Sequence, residues 1–133
     1  MDLEIEVLGR ELAEGREDLP EPGEIERLIA LAIATSGVRD GHLALTFVEA
    51  GEIAALNARH RGKEGPTDVL SFPIDEADPD VPGPRELGDI VICPPHTLDL
   101  REAIVHGALH LVGMDHETDD GEMLTVQAEL LSW

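Results

Sequence analysis

Residues 99–116 read DLREAIVHGALHLVGMDH, a stretch that carries the marks of a helix with both ends defined. Asp99 with Glu102 three positions later forms the pattern of a capping box, which satisfies the first unpaired amides of a helix. Ile104, Val105, Ala108, Leu109, Leu111 and Val112 recur at helical spacing, and Gly113 permits the left-handed turn that stops it. Within that helix His106 and His110 stand four residues apart on one face, their Cβ atoms about 5–6 Å from each other. At about 100° per residue they point nearly opposite the apolar side, away from the stripe expected to pack on the core. After Gly113 the short run Met114-Asp115 brings His116 back toward the same helix end, so a C-terminal helix carrying HxxxHxxxxxH is expected.

Working outward, Leu3, Ile5 and Val7 alternate with acidic residues as in a half-buried strand. Residues 9–23 form a connection with room for one helical turn. Ile25, Leu28, Ile29, Ala32 and Ile33 follow Pro22-Gly23 at helical spacing, with Gly37 as a stop. Leu43, Leu45 and Phe47 alternate again, and Gly51 to His60 contains a short helical pattern with Ile53, Ala54, Leu56 and Asn57. Val69 to Phe72 reads as a strand closed by Pro73, and residues 74–86 read as an acidic, proline-rich loop. LGDIVIC supplies a fourth strand. Asp119 and Glu122 repeat the cap signature before Met123, Leu124, Val126, Leu130 and Leu131. Four strands interleaved with helices predict one domain over residues 1–133, of α+β (α/β-like) class. About four strands form a mixed sheet covered on one main face by helices.

The chain has 133 residues, 29 Asp and Glu against 9 Lys and Arg, and a formal net charge of −20. Taken alone, that balance argues against a polyanionic partner. Yet three of the nine basic residues lie in the stretch Arg59-His60-Arg61-Gly62-Lys63, where a local positive patch can survive on an acidic body. A salty cytoplasm, which shortens the reach of distant carboxylates, or plain solubility would account for the acidity. The lone cysteine, Cys93, sits in an apolar run without a disulfide partner, as expected of a small buried side chain in a reducing cytosol. The N-terminal stretch has no basic leader, and no apolar run approaches the roughly 20 residues that cross a bilayer. A cytoplasmic protein with no membrane contact is expected.

A lone histidine is more often a hydrogen-bonded side chain than a ligand, but His106, His110 and His116 form a set at ligand spacing. Imidazole nitrogens suit zinc, while nickel, copper and iron also accept them. No cysteine or fourth histidine follows at ligand spacing, which favours a position left for water and hence catalysis over a closed structural site. Zinc proteases with HExxH place a glutamate directly after the first histidine as general base. Here that place is Gly107, so peptide hydrolysis by that route lacks its proton acceptor. A water with its pKa drawn toward 7 by the metal can attack a phosphodiester if cations neutralise the developing charge, and RHRGK provides cations.

HGALHLVGMDHE at 106–117, LNARHRGKEGPTDVLSFP at 56–73 and ELGDIVIC at 86–93, in this order, resemble the YbeY family of bacterial endoribonucleases that mature ribosomal RNA. The resemblance implies one zinc ion per chain held by His106, His110 and His116, and it makes Arg61 the basic residue beside the scissile phosphate. It implies contacts of Arg59, Lys63 and Ser71 with substrate. Thr67, Asp68 and Ser71 match polar family positions that turn and strand-start chemistry also explains. Asp89 either orients a ligand histidine or caps a strand end. The implied partners are single-stranded ribosomal RNA, the small ribosomal subunit and its assembly factors, in rRNA maturation and ribosome quality control. Met114 and His60 stand where the family usually has Tyr, and the stretch from Cys93 to His106 is shorter than the family pattern. Two other functions fit the residues: a noncatalytic ribosome-assembly factor with a structural zinc, and a metal-dependent hydrolase of a small substrate.

Overall fold

The computed structural model describes residues 3–35, 41–73, 86–112 and 122–132. Strands β1 (Leu3–Leu8), β2 (Gly41–Phe47), β3 (Val69–Pro73) and β4 (Glu86–Ile92) form one sheet in the order β1-β2-β4-β3. β2 runs parallel to β1 and β4, and β3 pairs antiparallel with β4 at the sheet edge. Helices α1 (Pro22–Ala34), α2 (Ala50–Arg61), α3 (Leu100–Leu111) and α4 (Glu122–Leu131) complete the fold, with 3-10 turns at Arg10–Ala13 and Pro94–His96. The mixed sheet and the α+β class expected from the residue pattern are both present. Gly37, residues 74–85 of the expected loop at 74–86, Asp119 and the turn after Val112 lie outside the described residues, while Glu86 opens β4 instead of closing the loop.

The apolar periods become two clusters on opposite faces of the sheet. Ile25, Leu28, Ile29 and Ile33 of α1 and Ile104, Ala108 and Leu111 of α3 pack with Leu43, Leu45, Val69, Ile90 and Ile92. On the other face Ile53 of α2 packs with Val48, Leu70, Val91 and Cys93. Helical cover on one main face therefore holds for α1, α3 and α4, whereas α2 takes the opposite face over β3 and β4. Side chains alternate across a strand, so Val69 and Ile90 meet α3 while Leu70 and Val91 meet α2. Cys93 is fully buried, as its apolar setting predicts, and burial raises its thiol pKa and keeps it protonated. Among the described residues no helix is long and apolar enough to cross a membrane.

Helix α3 starts at Leu100, which puts His106 in its second turn. Two carboxylates hold that start. Asp99 Oδ1 accepts the Glu102 amide at 3.2 Å, the first half of the expected capping box, and Asp18 Oδ2 accepts the Leu100 amide at 2.9 Å. Both negative charges sit where the helix dipole favours them. Arg16 pairs with both oxygens of Asp18 at 2.9 Å and also donates to the carbonyls of Pro94 and Leu98. The connection after β1 thus clasps the short segment leading into α3.

Partial burial would raise the Asp18 carboxyl, but the Arg16 guanidinium and the Leu100 amide outweigh it and hold the carboxyl below its usual value. A carboxylate lowered in the folded state contributes stability above its unfolded pKa, and that contribution disappears as the pH falls through the lowered value. Asp18→Ala is expected to cost about 1 kcal/mol at neutral pH, the usual scale of a lost helix cap. Urea melts across pH should show the gap to the parent closing progressively below about pH 4.

Candidate metal centre

His106 and His110 are half-buried, and α3 is covered more widely than the expected apolar stripe: Leu100, Ala103 and Gly107 are buried as well. The two imidazoles pack on each other, and His106 meets α4. Their Nε2 atoms lie 3.1 Å apart, with ring centroids at 4.7 Å and an interplanar angle of 72°. Two nitrogens bound to one tetrahedral ion at about 2.0–2.1 Å stand about 3.3 Å from each other, so this pair fits a shared zinc with little movement. His106 Nδ1 lies 2.8 Å from Gln127 Oε1 of α4. His116, the third expected ligand, and Met114 lie outside the described residues. Among the described residues no third His, Cys, Asp or Glu completes a metal-binding group with the pair.

Gly107 explains how α3 reaches this position. A Cβ there would stand 2.6 Å from Ile90 Cγ2, 3.1 Å from Val69 Cγ2 and 3.4 Å from Ser71 Oγ. The protease pattern's glutamate would have to occupy this space against the sheet, so the fold excludes it sterically. Ser71 donates its hydroxyl hydrogen to the Gly107 carbonyl at 2.7 Å, which ties β3 to the histidine helix across 36 residues. Its donor is thereby committed to the helix backbone.

The basic stretch closes α2 on the other side of β3. Gly62 adopts φ 65°, the left-handed cap that ends α2, and its amide bonds back to Ala58 O. Buried Asn57 donates its side-chain amide to Gly65 O at 3.0 Å and pins the following loop. Arg59, Arg61 and Lys63 are exposed and make no hydrogen bond or ion pair among the described residues. Arg10, Arg16, Arg27 and Arg101 are instead spent on the protein's own acceptors. His60 packs edge-on against Phe72 with centroids 4.9 Å apart, so this imidazole presents aromatic surface. Asp68 Oδ1 accepts its neighbour Val69's amide at 2.8 Å and the Thr67 hydroxyl at 3.2 Å, which is strand-start chemistry.

Asp89 stands opposite Phe72 in the sheet, is exposed, and alternates with the inward Ile90 onto the α2 face. It faces away from α3, and the oxygen beside His106 Nδ1 is that of Gln127. Neither Gln127 nor Asn57 stands out by residue type alone. The signal for both is a polar residue at core-facing helical spacing: Gln127 four after Met123 and three before Leu130, and Asn57 four after Ile53.

The family model described as Endoribonuclease YbeY matches residues 22–132. The chain belongs to the YbeY family. The relatives described as Endoribonuclease YbeY include one from Macrococcus caseolyticus, 37% identical over 127 residues, with 82% of each chain covered. Another, from Geobacillus kaustophilus, is 40% identical over 129 residues, covering 81% of this chain and 83% of its own. A third, from Rubrobacter xylanophilus, is 45% identical over 96 residues, covering 70% and 67%. The solution structure of a Thermotoga maritima protein is similar with a TM-score of 0.51 at 28% identity, covering 96% of this chain and 87% of that one. The YbeY match spans both the basic end of α2 and the histidine helix.

Gly107→Ala is expected to destabilise the fold by about 1–3 kcal/mol, the usual cost of overpacking, since the methyl group meets two β-branched side chains. Thermal melts measure that loss. Gly107→Ala combined with Ile90→Ala, which opens the space, should recover part of the overpacking penalty relative to Ile90→Ala alone.

Proposed function

We propose that this chain is a zinc-dependent endoribonuclease that cuts single-stranded RNA in ribosomal RNA maturation and ribosome quality control. The small ribosomal subunit and its assembly factors would be its setting, in the cytoplasm. The observation that carries the proposal is the convergence of the His106 and His110 Nε2 atoms to 3.1 Å in a chain whose relatives are described as endoribonucleases. His106, His110 and His116 would hold the ion. A zinc ion there would supply Lewis acidity and positive charge beside the scissile phosphate.

The chain's own residues divide the remaining work. Arg61 presents a planar guanidinium with no partner among the described residues, suited to pairing with two phosphate oxygens and to stabilising charge that develops on them. Arg59 and Lys63 extend the same cationic strip along an RNA backbone. Ser71 seats the histidine helix through Gly107 O, and its oxygen can still accept from substrate. A net charge of −20 opposes approach of the polyanion, so the short-range trio must outweigh a long-range repulsion that salt screens.

A second function has one observation in its favour. Gln127 links α4 to His106, so an ion at the pair would also brace the two C-terminal helices, as in a noncatalytic assembly factor with structural zinc. His110→Ala separates the two. The endoribonuclease should keep its circular dichroism and lose zinc and cleavage of single-stranded RNA, whereas a structural zinc predicts an unfolded variant.

Arg61→Ala should retain fold and zinc while kcat/KM falls about 100-fold or more, the scale of one lost charge-stabilising donor. Unchanged cleavage would remove Arg61 from the site. Metal removal by a chelator should abolish cleavage, and added zinc should restore it. End-group analysis for a cyclic phosphate would show whether the RNA's 2′-hydroxyl or water is the nucleophile.

A further inference from the structure

A neutral imidazole carries one N–H and one lone pair, so a histidine whose Nε2 binds a metal must keep its proton on Nδ1. His106 has both nitrogens engaged: Nδ1 stands 2.8 Å from Gln127 Oε1, and Nε2 stands 3.1 Å from His110 Nε2. Gln127 is 7% exposed and comes from a different helix, 21 residues away. Burial makes an unpaired amide oxygen costly, so the carbonyl holds a donor in front of it.

We infer that Gln127 is the positioning residue of the metal centre: its Oε1 accepts the Nδ1–H of His106, fixes that tautomer, and turns the Nε2 lone pair toward His110 and a shared ion. The inference rests on the metal site proposed above and extends it to a side chain outside the histidine motif. Edge-to-face packing of the two rings at 72° supplies the second restraint on ring rotation. An amide accepts this hydrogen bond without adding negative charge, which leaves the ligand less basic than a carboxylate partner would. The hydrogen bond also makes placement of α4 on α3 a condition for a preorganised site.

The test uses the full chain with 15N-labelled histidine, freed of metal, at a pH above the ordinary histidine range. Two-bond 1H–15N correlations report the tautomer of His106, whose signals are assigned by their loss in His106→Ala. The parent should show the Nδ1–H form. Gln127→Met, which keeps volume and removes the acceptor, should shift His106 toward Nε2–H and weaken zinc binding about 10- to 100-fold in competition with a chromophoric chelator. Gln127→Glu, which restores an acceptor, should bring back the Nδ1–H tautomer and most of the affinity.

An Nε2–H tautomer in the parent would overturn the inference, and this measurement stands even if Gln127→Met fails to fold. So would a folded Gln127→Met with unchanged tautomer and affinity. Equal losses in Gln127→Met and Gln127→Glu would reduce Gln127 to packing. A parent that shows Nδ1–H but takes up no zinc would sink the zinc assignment instead, and the tautomer comparison between parent and Gln127→Met would still decide whether Gln127 sets the ring.

Discussion

Helix α3 lies so close to strands β3 and β4 that even a methyl group at Gly107 would stand 2.6 Å from Ile90 Cγ2. The histidines flank this contact, one directly before Gly107 and the other three positions after it. Close approach lets Ser71 reach the Gly107 carbonyl and leaves the imidazoles half-buried beside α4. The start of the same helix is held separately by Asp99 and by the Arg16–Asp18 clasp. A rod fixed at its start and against its middle has little freedom to slide or roll, which is the rigidity that the proposed metal centre would need.

Charge is organised by use rather than by sum. Arg16, Arg27 and Arg101 sit in ion pairs within the fold, and Arg10 caps the Pro20 carbonyl. Arg59, Arg61 and Lys63, close in sequence at and just after the end of α2, have no such partner among the described residues and are the cations proposed to meet RNA. At an effective dielectric near 20, one charge pair at 4 Å is worth about 4 kcal/mol before desolvation. Carboxylates farther off than the Debye length of about 8 Å at physiological salt count for much less. A strip of three cations on an acidic body is therefore compatible with an anionic ligand.

The short-range pattern of the chain was largely legible. Alternation marked β1 and β2, a short run closed by Pro73 marked β3, helical spacing marked α1 and α3, and Asp99 announced the cap that the structure contains. Less was legible about faces. Ile53 and Asn57 are the buried positions of α2, and so thin a stripe says that a helix packs without saying on which side of a sheet. The histidines stood out by type and spacing, but their half-burial could not be read from one helix wheel, because α4 covers a side that α3 alone leaves open. Asp89 faces away from His106 and His110, set by its register opposite Phe72.

Residues alone determined the strands and helices, the i, i+4 pairing of His106 and His110, and the crowding of cations at 59–63, because backbone geometry repeats every 3.6 or 2 residues regardless of what lies beyond. Tertiary structure decided that α2 and α3 sit on opposite faces with β3 between them, that Gly107 is a contact point, and that Gln127 rather than Asp89 meets His106. Those outcomes depend on strand order and on how helices cross, which bring together groups tens of residues apart and leave no periodic mark in the chain.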